Sequence, residues 1–167
     1  MSEENITIEL VRILRGLGWD IISFDFPQSG TGLDLKPNDS NEKNKDNYKP
    51  DIIVAKDGIA LITENKVNYY EYDITKLNTL RETEIYSNSL DAILSPYNVE
   101  LVYYGAALKL NKKNKEKLDN KKSKIDFSLL YDESKKVFII NYLETNYVEN
   151  DKRLIVDLTS TKRILIK

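Results

Sequence analysis

Two carboxylates and one amine stand where they could act together: Asp51, Glu64 and Lys66. Between the acids lies Asp57-Gly58, a pair that favours the tight type I′ turn of a two-residue hairpin, flanked by the β-type runs DIIVAK and IALITENK. If Lys56 faces Ile59, continuing the pairing outward sets Asp51 directly opposite Glu64, with Cβ atoms about 4.5–5.5 Å apart. Facing carboxylates repel and destabilise a sheet, and a shared divalent cation turns that repulsion into joint coordination. The period of two along the second strand puts Lys66 on the face of Glu64, Ile62 and Ala60. The Asn65 side chain then points to the other face, while its carbonyl lies between the two as a further oxygen ligand. Such a group suits hydrolysis of a phosphodiester. The cation polarises the phosphate and acidifies a bound water; the lysine positions or deprotonates that water and offsets charge developing at phosphorus.

Composition removes most rival chemistries. The 167 residues contain neither cysteine nor histidine, which excludes disulfides, thiol nucleophiles, structural zinc and histidine-based triads. The remaining oxygen donors suit magnesium, manganese or calcium. A net charge of −2 gives no global signature for nucleic acid, so phosphate contacts would have to come from local patches. No run approaches the roughly 18 apolar residues of a membrane span, and no membrane association is expected. The acidic start MSEENITIEL lacks the layout of a secretory signal, which makes the cytoplasm the expected location.

The elements that must position the three residues can be read around them. Ile6, Leu10, Ile13, Leu14 and Leu17 recur at helical spacing, predicting an amphipathic helix over 3–17 that Gly16 and Gly18 stop. Residues 19–26 read as a strand ending at Pro27. The polar stretch 27–49 reads as a long loop, an excursion from the fold. After the hairpin a helix is expected from near Asp73, continuing with a possible break to Leu94, where Ser95-Pro96 stops it. Residues 99–109 predict a buried strand, 111–124 a lysine-rich helix, and 137–143 and 153–158 further strands. The order is that of a mixed α/β fold in one domain spanning 1–167.

Pro50-Asp51, a gap of twelve residues, then Glu64-Asn65-Lys66 resembles the PD-(D/E)XK motif of restriction-type nucleases. The resemblance covers residues 3–110, through the order of elements as well as the motif. It implies a restriction-endonuclease-like central mixed sheet flanked by helices. It also implies that Asp51 and Glu64 bind Mg²⁺, with Mn²⁺ able to substitute, and that Lys66 serves the nucleophilic water. The family often adds an acid on the first helix, and Glu9 matches it, about 80° from the centre of the apolar stripe.

The loop before the catalytic strand offers substrate contacts. Gln28, Ser29, Thr31, Asn38 and Asn41 can hydrogen-bond bases or phosphates, and Lys36, Lys43, Lys45 and Lys49 can meet phosphates. Lys112, Lys113, Lys115, Lys117, Lys121, Lys122 and Lys124 form a basic segment that reads first as a solvated helix face. Tyr69, Tyr70 and Tyr72 follow the motif and could stack or touch a backbone. The expected activity is that of a Mg²⁺-dependent endonuclease on double-stranded DNA, of the type II restriction kind. A homodimer is expected, since a two-fold protein can cut both strands of a palindrome. Junction resolution, repair or a defence-system subunit is the alternative within the same chemistry; a non-catalytic nucleic-acid-binding protein is the alternative outside it.

Overall fold

The chain's structure is a computed structural model that describes residues 2–26, 30–39, 46–144 and, as backbone only, 164–166. Helix α1, Glu3–Gly16, begins where the Ser2 hydroxyl accepts the Asn5 NH at 3.2 Å, with Glu3 and Glu4 complementing the helix dipole. It ends at Leu17, and Gly18 takes φ 92°, the left-handed value that glycine tolerates. Strands β1 (Asp20–Phe24), β2 (Ile52–Lys56) and β3 (Ile59–Lys66) follow as an antiparallel meander. Positive φ at both Asp57 (50°) and Gly58 (82°) closes the β2–β3 turn, the geometry that two-residue hairpins require.

Helices α2 (Glu71–Glu82) and α3 (Ser87–Leu94) carry the chain back to β4 (Leu101–Lys109), which pairs with β3 in parallel. Helix α4 (Lys112–Asp119) makes a second crossover to β5 (Phe127–Asp132), also parallel. Strand β6 (Val137–Leu143) returns antiparallel, and a three-residue strand, β7 (Ile164–Ile166), runs parallel beside it. The sheet is therefore mixed, with strands in chain order. Buried side chains form a layer on each face. Ile6, Leu10 and Leu14 of α1 meet Ile52, Val54 and Leu61 on one face. Ile74, Leu77 and Leu80 of α2 and Leu90 of α3 meet Ile53, Ala60, Ile62 and Tyr104 on the other. This α/β architecture in a single domain agrees with the class expected from sequence.

Four expectations need amendment. The helix expected from Asp73 to Leu94 is two helices, starting at Glu71 and interrupted after Glu82. The basic helix ends at Asp119, not Lys124. Strand β5 is additional to the predicted set, and residues 153–158 lie outside the described residues. The 27–49 loop is in part packed structure. Leu35 is fully buried and forms an antiparallel bridge with Tyr48, and the Lys36 NH donates to Ser89 Oγ of α3 at 2.9 Å.

Candidate active site

The β2–β3 ladder keeps the register read from the turn, from Lys56↔Ile59 to Ile52↔Thr63. Asp51 departs from it. The residue sits on a bend just before β2, its NH donating to the Thr63 carbonyl at 3.1 Å and its carbonyl accepting the Asp25 NH at 2.7 Å. It is thus not the flat cross-strand partner of Glu64 that strict continuation requires. The bend swings its carboxylate along the strand, so that Oδ2 accepts the Asn65 NH at 2.7 Å. The carboxyls of Asp51 and Glu64 still lie close enough for each to shift the other's titration. Both are buried, at 8% and 5% exposure.

Desolvation raises both acids. Asp51 is pushed up to about 6 by burial, against the pull of the Glu64 contact and the Asn65 NH. Glu64 is raised well above the carboxylate range by burial, then by Asp51. The Tyr48 hydroxyl donates to Glu64 Oε1 from the clipped end of the loop. Tyr48, outside the motif, was not among the expected site residues.

Lys66 ends β3 with its Nζ 2.8 Å from Glu3 Oε1. Burial lowers its pKa, but Glu3, Asp73 and Asp51 together outweigh that and hold the amine protonated. The acid that the first helix brings to the site is thus Glu3. Glu9 is ion-paired with Arg12 at 2.7 Å. Helical spacing located a flank of the helix, while the strand end lies beside the helix's first turn.

Asp73, in the first turn of α2, is a further acid that the motif did not reveal. Burial, then Asp51 and Glu3, raise it to about 6 against the pull of Lys66, and its Oδ2 is buried with no hydrogen-bond partner. A buried orphan oxygen beside other acids is costly unless something binds it.

Asn65 has a double role. Its side chain lies on the opposite face as expected, Nδ2 donating to Thr7 Oγ1 at 2.9 Å and Oδ1 accepting from Thr63 Oγ1 at 3.0 Å. These bonds tie α1 to β3 and so bring Glu3 to Lys66. Thr63 and Asn65 are two apart on the strand, so their NH and carbonyl groups leave by the same edge. Thr63 uses that edge to receive Asp51, and the Asn65 carbonyl therefore lies on it too, beyond the last β2 pair.

Among the described residues no set of three or more acids forms a ready-made metal cage. The donors that fit a hard cation are Asp51, Glu64 and the Asn65 carbonyl, and Mg²⁺ characteristically completes such a partial set with water. Of the proposed nucleic-acid contacts, Thr31, Lys36 and Lys49 are exposed on the loop, and Tyr70 is 54% exposed at the start of α2. The Thr31 hydroxyl donates to the Phe24 carbonyl at 2.6 Å. Gln28, Ser29, Asn41, Lys43 and Lys45 lie outside the described residues. In the basic segment Lys115 pairs with Asp119 at 2.8 Å and Lys121 with Glu71 at 2.9 Å, as suits a solvated face. No protein-family model matches the chain, and no curated protein or solved structure matches it.

Proposed function

We propose that the chain is a Mg²⁺-dependent endodeoxyribonuclease of the PD-(D/E)XK type, acting on double-stranded DNA as a restriction-type homodimer. The observation that carries this reading is the gathering of two buried carboxyls, Asp51 and Glu64, each shifting the other's titration, at one strand end with Lys66. Among the described residues no cation is hydrogen-bonded to either carboxyl: the Lys66 ammonium draws Asp51 down from nearby but is itself bonded to Glu3. Mg²⁺, or Mn²⁺ in its place, would be held by Asp51, Glu64 and the Asn65 carbonyl, and would supply Lewis acidity toward a phosphate and a bound water. The Asn65 NH fixes the Asp51 carboxylate in the direction the site needs. Lys66, kept protonated by Glu3 and Asp73, serves as a cation that orients water and offsets charge at phosphorus, not as the base that removes a proton. Thr31, Lys36, Lys49 and Tyr70 would meet the substrate.

Incubation with plasmid DNA and Mg²⁺ tests the reading. The wild type should yield discrete fragments and Asp51→Ala none; equal cleavage by both would remove the site assignment. A second reading, structure-selective cleavage, draws on Tyr70 and Tyr72. Both are 54% exposed with ring centroids 5.9 Å apart, a surface on which an unpaired base could stack. A flapped substrate cut faster than its perfect duplex would favour it.

A further inference from the structure

The least expected contact in the site comes from the loop. Tyr48 is buried at 7% exposure, with its hydroxyl on Glu64 Oε1. Its backbone is clipped to Leu35 by two hydrogen bonds, of 2.7 and 2.9 Å. Its ring lies 6.4 Å from that of Tyr86 and 5.7 Å from the Lys76 ammonium. The loop is fixed to the α2–α3 layer on both limbs. Tyr86 donates to the Asp46 carbonyl at 2.6 Å, the Asn38 NH to the Ile85 carbonyl at 2.8 Å, and the Asn88 NH to Asn38 Oδ1 at 3.0 Å. A phenol held this firmly has its one donor directed at a carboxyl already in contact with Asp51.

We propose that Tyr48 is a positioning residue for Glu64, through which the loop limbs 30–39 and 46–49 govern the cation affinity of the site. This inference rests on the reading that Asp51 and Glu64 bind a divalent cation. A glutamate side chain turns freely about its last bonds, and a cation ligand gains from having that freedom removed beforehand. Tyr48 holds one oxygen of the carboxyl, so its plane is constrained before a cation arrives. The same loop exposes Thr31, Lys36 and Lys49. Any substrate contact that displaces the Leu35–Tyr48 clip therefore reaches Glu64 through a single side chain. DNA engagement and cation affinity are coupled at Tyr48.

Calorimetric titration of the purified protein with Ca²⁺ reads this without turnover. Tyr48→Phe keeps the ring and its packing and removes only the hydroxyl. The expected result is Ca²⁺ affinity lower by about 10-fold or more, the usual effect of losing a ligand's outer partner. In cleavage assays kcat should fall while KM for DNA holds. Tyr86→Phe is the companion, since it removes one neighbouring bond, to the Asp46 carbonyl, while leaving the Leu35–Tyr48 clip and the Tyr48 hydroxyl in place, and it should retain wild-type Ca²⁺ affinity. A Tyr48→Phe isotherm identical to wild type overturns the positioning role and leaves the site reading standing. Equal weakening in both variants overturns it too, because the loop would then act by general packing. A wild type that binds no Ca²⁺ overturns the site reading and this inference with it.

Discussion

The protein buries acids in two places and provides for them differently. Asp126, 2% exposed just before β5, receives Arg81 Nε at 2.9 Å on one oxygen and the Tyr104 NH at 2.9 Å on the other. Arg81 is itself anchored by the Ser123 carbonyl at 2.8 Å. At the end of β3, by contrast, Asp51 and Glu64 are pressed together, Asp73 has a buried oxygen with no partner, and Lys66 is bonded to Glu3. The first arrangement is a completed structural clip joining α2 to the sheet. The second leaves acids whose repulsion Lys66 offsets only in part among the described residues, and perturbed groups gathered in that way are characteristic of functional sites. Burial raises the carboxyl pKa in both, so burial alone does not separate them. What separates them is that Arg81 bonds Asp126 directly, whereas among the described residues no cation is hydrogen-bonded to Asp51 or Glu64.

Substitutions at the two places should therefore fail in opposite ways. The largest effect is expected on catalysis: Asp51→Ala should lower Mg²⁺-dependent cleavage by roughly 10³-fold or more, since a metal's contribution is several kcal/mol. Asp126→Asn should leave cleavage per folded molecule near wild type. The reverse holds for stability. Arg81→Met strands a buried carboxylate and should cost about 3 kcal/mol in urea unfolding. Lys66→Met removes a part-exposed ion pair, should cost under about 1 kcal/mol, and should still cripple cleavage. If both lysine and arginine variants lost stability alike, the contrast between the regions would fail.

A smaller effect sharpens the role of Asn65. Asn65→Ala removes two buried side-chain bonds, to Thr7 and Thr63, and should cost roughly 1–3 kcal/mol. Thr7→Val should reproduce part of it. Both should also reduce cleavage by letting α1, and Glu3 with it, drift from Lys66.

Acidity separates the regions next. Burial raises Asp51 and Asp73 to about 6 in the fold and pushes Glu64 well above its ordinary value, so the native state holds more protons. Where the native state binds more protons, stability falls as pH rises. The metal-free protein should melt higher near pH 5 than near pH 7.5, with most of the loss through about pH 6. Mg²⁺ should recover the loss at pH 7.5, and Asp51→Asn should flatten the profile. A melting temperature that rises from pH 5 to 7.5 would contradict this. The smallest change is expected at Glu9, whose partner is Arg12: Glu9→Ala should alter cleavage by less than about twofold.

Much of the frame was legible because it rests on local rules. The Asp57-Gly58 turn fixed the hairpin register, period two assigned Lys66 and Asn65 to opposite faces, and the apolar spacing of Ile6, Leu10 and Leu14 placed α1. The site was legible as far as those rules extend. Asp51 escaped strict register because it sits on a bend at the strand end, where its carbonyl accepts the NH of Asp25 just past β1, and no pattern within the hairpin encodes that bond. Glu3 was missed in favour of Glu9 because a helical wheel gives direction about an axis and not position along it. Tyr48 and Asp73 reach the site by tertiary packing of the loop and of α2, across 16 residues of sequence in the case of Tyr48 and Glu64. Strand β5 was hidden because FSLLYD is a short apolar run without alternation, which burial on both faces permits.

Crystals grown with Mn²⁺ offer the most direct test, through the anomalous signal of the bound ion. A single peak within about 2.0–2.3 Å of a carboxylate oxygen from each of Asp51 and Glu64 is the predicted result. A map with no peak between those two side chains, or with manganese bound only elsewhere, would contradict the assignment of this strand end as a metal-dependent nuclease site.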